Sequence, residues 1–158
     1  MAYKVFISHS CRDQGLVISL ANVLSKFGVE VYVAEWYLAP GERIEKKIFD
    51  MIGQSDCAIV LLTRDGIRSN WVQHEVGYVL GAGKQLIPIV EKGTAPRDLA
   101  SLQGREYIEY DPSRPDLALV KASTYVKSLK LRKAEQEKAL LVAGGILAFL
   151  LLLSGGKR

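Results

Sequence analysis

Glu75 follows Trp71 by four positions in the segment SNWVQHEVGY (residues 69–78). On a helix that spacing puts an indole and a carboxylate on one face, one turn apart. A carboxylate walled by an aromatic ring loses hydration, which raises its pKa, while a guanidinium from Arg12, Arg64 or Arg68 would lower it. A group in that setting can meet a developing positive charge. A glutamate at this spacing can equally be a solvated surface residue paired with a lysine, and spacing alone leaves both readings open. Other motifs fail on particular residues. HEVGY has Tyr78 where the zinc-protease pattern needs a second histidine. His9 and His74 are the only histidines, so a histidine-based metal site is not expected. GAGK (residues 81–84) ends a helical pattern instead of following a strand, and Gln85 stands where Ser or Thr would hold magnesium. It reads as a glycine helix stop. No Ser-His-Asp arrangement can be argued.

The elements that must position Glu75 follow from the hydrophobic pattern. KVFIS (4–8), VEVYVA (29–34), CAIVLLT (57–63), QLIPIV (85–90) and EYIEY (106–110) read as strands, although Pro88 removes one ladder donor from the fourth. Between them, Leu16, Leu20, Val23, Leu24 and Phe27 recur at helical spacing before Gly28. Ile44, Ile48, Phe49 and Ile52 mark a second helix over about 42–52, and the Trp71/Glu75 helix ends near Gly81–Gly83. A short helical turn is expected at 97–102 and a last helix from about Arg114. Strands alternating with helices predict an α/β fold: a flavodoxin-like five-stranded parallel sheet, order 2-1-3-4-5, with helices on both faces. Ligands of such sheets bind beyond the carboxyl ends of the strands. The loops HSCRDQG, EWYLAPGE and RDGIRSN would therefore surround one crevice, with the Trp71/Glu75 helix starting at its lip and capped by Ser69 or Asn70.

The totals are compatible with one such domain plus a tail. The chain has 158 residues, 49% hydrophobic and 24% charged, and a formal charge of +4. No basic stripe with interleaved aromatics occurs in the first hundred residues, so nucleic acid is not an expected partner. Cys11 and Cys57 have no metal-ligand spacing, and Cys57 is expected to pack as a small hydrophobe. The start MAYKVFISHS has no charged n-region or apolar h-region, which predicts a reduced, cytosolic N-terminal part. From Ala139 to Ser154 the chain reads ALLVAGGILAFLLLLS, about 16 residues or roughly 24 Å of helix, at the short end of what spans a bilayer core. Lys127, Lys130, Arg132, Lys133 and Lys138 precede it, a bias that favours a single-pass membrane helix with the globular part in the cytoplasm. A core or oligomerisation helix is the alternative, and Gly144 with Ala148 could pair two tails. The expected organisation is a domain over 1–130, a basic linker or helix extension over 131–138 and a transmembrane helix over 139–156.

KVFISHS, LAPGE, CAIVLLT and SNWVQHEVGYVLG together resemble the Toll/interleukin-1 receptor (TIR) domain family in its bacterial and archaeal form, over roughly residues 3 to 130. SNWVQHE is the most specific part, similar to the family's Ser-x-Trp-x-x-x-Glu segment. The resemblance implies a five-stranded flavodoxin-like sheet and cleavage of NAD+ at the nicotinamide glycosidic bond. It makes Glu75 the catalytic residue with Trp71 beside it, and NAD+ a substrate, so no separate cofactor is needed. It assigns Ser8, Ser10 and Arg12 to the nucleotide's phosphates and ribose. EWYLAPGE resembles a loop used in both substrate access and TIR–TIR contact, where Trp36 or Leu38 could wall the nicotinamide or serve packing and self-association. Pro40–Gly41 suits the centre of a type II turn. The implied function is a membrane-anchored NAD+ glycohydrolase or cyclase switched on by self-assembly, in defence or cell death. A non-enzymatic TIR adaptor and a deoxyribosyltransferase-like enzyme are the alternatives.

Overall fold

The computed structural model describes residues 2–36 and 40–155. Its sheet is formed by β1 (Tyr3–Ser8), β2 (Val29–Tyr32), β3 (Cys57–Leu62), β4 (Gln85–Glu91) and β5 (Ile108–Tyr110). All neighbours are parallel and the order is β2-β1-β3-β4-β5, as the pattern of apolar runs predicts. β3 lies at the centre and all six of its residues are buried, which explains why it reads as an unbroken apolar run. Pro88 is accommodated because β5 pairs with β4 only from Ile89 onward. Two strands are shorter than expected. The chain leaves β2 after Tyr32 and enters a 3-10 turn at Ala34–Trp36. Of EYIEY only Ile108–Tyr110 pair, beginning at Ile108 opposite Ile89, while Glu106 and Tyr107 are exposed and precede the pairing.

Four helices join the strands into one compact unit, Met1–Thr124: α1 (Gln14–Ser25), α2 (Ile44–Gln54), α3 (Arg64–Ile67) and α4 (Asn70–Gly81). Strand residues alternate between the two faces of the sheet. Phe6, Ala58, Val60, Leu62, Leu86 and Val90 share one face, where they pack with Ile48 and Ile52 of α2 and Val72, Val76 and Val79 of α4. Burying a side chain of this kind contributes about 1.5–3 kcal/mol. Three of them tether α4 strongly enough to carry a polar residue into the interior. Ser8 has the parity of Phe6 and lies opposite Val60, so it faces the α4 side. That places a hydroxyl at the carboxyl end of β1 under α4.

RDGIRSN, read from sequence as a loop, contains α3. Thr63 caps it, its hydroxyl oxygen accepting the Gly66 N–H at 3.0 Å. Gly66 is buried, and a Cβ at this position would lie 2.1 Å from the Leu61 carbonyl oxygen. Neither atom can move without shifting the sheet or the cap. Gly66→Ala should therefore cost about 3 kcal/mol or more of stability, measured by thermal unfolding. A change within about 0.5 kcal/mol would show that α3 is not pinned here. Gly41 has φ +88°, as the third position of a type II turn requires.

The final helix, α5 (Pro115–Gly155), begins within the compact unit, and its residues from Tyr125 onward belong to a second unit. It is long and apolar enough to cross a membrane by length and composition, and Leu140, Leu141, Phe149 and Leu152 are among its exposed residues.

Candidate active site

Ser69 caps α4, its hydroxyl oxygen accepting the Val72 N–H, and two turns further on Glu75 is only 2% exposed. The surface-glutamate reading is thereby overturned: α4 turns Glu75 inward with Val72, Val76 and Val79. Its carboxylate accepts a hydrogen bond from the Ser8 hydroxyl. Burial pushes the Glu75 carboxyl up to about 8; the Ser8 hydroxyl opposes this, the Glu35 carboxylate adds to it, and a hydrogen bond from Trp71 opposes it more weakly. The expected arginine influence is not there. Arg12, Arg64 and Arg68 are all exposed and are not among the causes of this shift, which are desolvation, the Glu35 charge and two neutral donors.

The loop after β1 is built around Asp13, which the sequence reading passed over. Its Oδ2 accepts the Ser10 hydroxyl at 2.9 Å and the Thr63 hydroxyl at 2.7 Å. One carboxylate oxygen thus clamps the exit of β1 to the exit of β3. Ser8 and Ser10 are both buried, with their protons committed to Glu75 and Asp13. His9 between them is buried too, its Nε2 3.6 Å from Glu35 Oε2 in the turn after β2. Three strand ends are therefore tied together by side chains. Their sequence signal was position: each polar residue stands at or within a few residues of the carboxyl end of a strand, where ligand-binding groups gather in such folds.

The remaining predicted residues fall in two places. Arg12 lines an open cavity of about 390 Å³ with Ser10, Cys11, Asp65, Arg68 and Ser69. Trp36, 49% exposed, closes the turn after β2 next to Glu35. Leu38 lies outside the described residues. Trp71 is half-buried against the α2/α4 core, while Tyr78 sets its ring edge-on to Phe49, 6.2 Å between centroids, and so packs toward α2. Cys57 is buried, which pushes its thiol up to about 12, as suits a small hydrophobe.

A parallel five-stranded sheet with these crossovers, and a glutamate-bearing helix over the carboxyl ends of its strands, defines a flavodoxin-like α/β domain. The TIR domain profile matches residues 5–122, and the chain belongs to that family. It is 28% identical over 126 residues to a 2′ cyclic ADP-D-ribose synthase of Acinetobacter baumannii, covering 77% of this chain and 44% of that protein. It is 32% identical over 75 residues to an NAD(+) hydrolase of Paracoccus denitrificans, covering 47% of this chain and 25% of that protein. The chain therefore spans less than half the length of these curated relatives. Among solved structures, the TIR domain of the Toll-related receptor TRR-2 from Hydra magnipapillata superposes with a TM-score of 0.65 at 22% identity, covering 80% of this chain and 99% of that one. At that identity the likeness is one of fold.

Proposed function

We propose that this chain cleaves the nicotinamide–ribose bond of NAD+, with Glu75 as the catalytic residue. The observation that carries this reading is a buried carboxylate, held by Ser8 and Trp71 at the strand ends of a TIR domain. Distant homology to NAD+ hydrolases and cyclic ADP-ribose synthases supports it. Nicotinamide leaves as a neutral molecule, so no general acid need protonate it. Positive charge instead collects on the ribosyl carbon, and a carboxylate in a water-poor site stabilises it far better than one in bulk water. The free site favours the neutral acid at pH 7. The cationic nicotinamide ring reverses that preference when it binds, drawing the proton off Glu75 as the substrate arrives. Water as acceptor gives ADP-ribose, whereas attack by a hydroxyl or ring nitrogen of the same molecule gives a cyclic product.

Ser10 and Arg12 would face the phosphates and ribose, and Trp36 with Leu38 would wall the nicotinamide. Self-association would complete the loop around residues 35–42. Residues 139–156 would anchor the protein as a single-pass helix, with the domain over 1–130 in the cytoplasm and 131–138 as the basic connection. A role in defence or cell death fits an enzyme that consumes NAD+ only when assembled. The test is nicotinamide release from NAD+ by the full chain in detergent and in liposomes at rising protein density, with the product identified by mass. Absence of release at every density would leave a scaffold that signals by contact.

A further inference from the structure

Arg68 is the side chain that neither the sequence pattern nor the glutamate site accounts for. It ends α3, directly precedes the Ser69 cap of α4, and projects as an exposed cation with no acidic partner among the described residues. Arg68 and Arg12 both line the 390 Å³ cavity, Arg12 from the loop after β1 and Arg68 from the end of α3. Among the described residues Asp65 is the one carboxylate lining the cavity, so two guanidinium groups outweigh one anion there. The partial positive charge at the start of α4 adds to the Ser69 wall.

The two segments that bear these arginines are joined. Arg12 belongs to the loop fixed by Ser10 Oγ donating to Asp13, and α3 is fixed by Thr63 Oγ1 donating to the same Asp13 oxygen. Thr63 also accepts the Gly66 N–H, which fixes where α3 begins, and the Arg68 N–H closes the helix on the Gly66 carbonyl. Asp13 therefore spaces the two arginines through the loops that bear them. Ser69 and Glu75 lie six residues apart on α4, about 9 Å along its axis, a span that a ribosyl phosphate can bridge.

We propose that Arg68, together with Arg12 in the same cavity, binds the diphosphate of a dinucleotide whose glycosidic bond lies at Glu75, and that Asp13 is the positioning residue that spaces the pair. This rests on the proposed NAD+ cleavage and adds its substrate class: a nucleotide carrying phosphate, in preference to the bare nucleoside. Guanidinium groups suit phosphate oxygens by their planar forked donors. Asp65, unable to approach a phosphate, is left to accept from a sugar hydroxyl.

The experiment compares NAD+ with nicotinamide riboside, which has the same glycosidic bond and cationic ring but no phosphate, for the wild-type full chain and Arg68→Ala. ADP binding is measured by calorimetry on the same samples. Arg68→Ala should raise KM for NAD+ about tenfold or more with kcat within about twofold, leave kcat/KM for the riboside unchanged, and weaken ADP about tenfold, the scale of one charged hydrogen bond. Arg68→Lys should restore part of the loss. Equal losses on NAD+ and the riboside would overturn the proposal, because Arg68 would then act through the fold. Unchanged KM and ADP affinity would overturn it as well. If the wild type cleaves neither compound, the cleavage reading fails alone, and the ADP measurement still decides whether Arg68 binds phosphate.

Discussion

Glu75→Gln should stabilise the protein by on the order of 5 kcal/mol above pH 8 and by almost nothing near pH 4. The Glu75 carboxyl, ordinarily near 4.5, stands at about 8 in the fold because burial disfavours its charge. Below pH 4.5 the folded and unfolded chains both hold the proton, and the residue has no pH-dependent effect. Between the two values the unfolded chain is ionised while the folded one retains its proton. Folding then takes up a proton, and stability falls as pH rises. Beyond about 8 both states are ionised and the loss has reached its full extent. Glutamine copies the neutral acid at every pH and removes this slope. Other titrating groups are common to both proteins and cancel in the comparison. Unfolding of wild type and Glu75→Gln in detergent at pH 5 and pH 8.5 measures the effect. Parallel stability curves would mean that Glu75 is hydrated in the folded state.

The same carboxyl should shape the kinetics. For nicotinamide release, kcat/KM should rise about tenfold per pH unit from pH 6 and level off near pH 8, roughly a hundredfold in all, because this ratio reports the free enzyme. The profile of kcat should level off at lower pH, since the bound cationic ring favours the ionised form. Ser8→Ala should move the kcat/KM midpoint upward, because the lost hydrogen bond had favoured the carboxylate. A flat kcat/KM between pH 6 and pH 8 would show that Glu75 is not the titrating group.

These two expectations depend on features of unequal visibility in the sequence. The strand order and the central position of CAIVLLT were legible because a strand buried on both faces cannot hide its composition. Glu75 was legible as a candidate from its helical spacing to Trp71. Ser8 was legible as a site residue, but its pairing with Glu75 was not, since the two are 67 positions apart and meet only because β1 and β3 pair with Ser8 opposite Val60. Register of that kind is set by the packed sheet. Asp13 escaped for the same reason: its two donors come from separate loops, and only the fold brings them to one oxygen. The arginines misled in the other direction. Their proximity in sequence to the strand ends suggested an effect on Glu75, whereas long side chains keep their charged ends in water. α3 was hidden by its length, four residues being too few to show a period.

Whether Glu75 breaks the nicotinamide–ribose bond is decided by nicotinamide release from the full chain in liposomes, wild type beside Glu75→Gln. Wild type should release nicotinamide, and the variant, with its fold and assembly intact, should do so about a hundredfold to a thousandfold more slowly. Equal release by the two proteins would contradict it, because the bond would then be broken without the carboxylate.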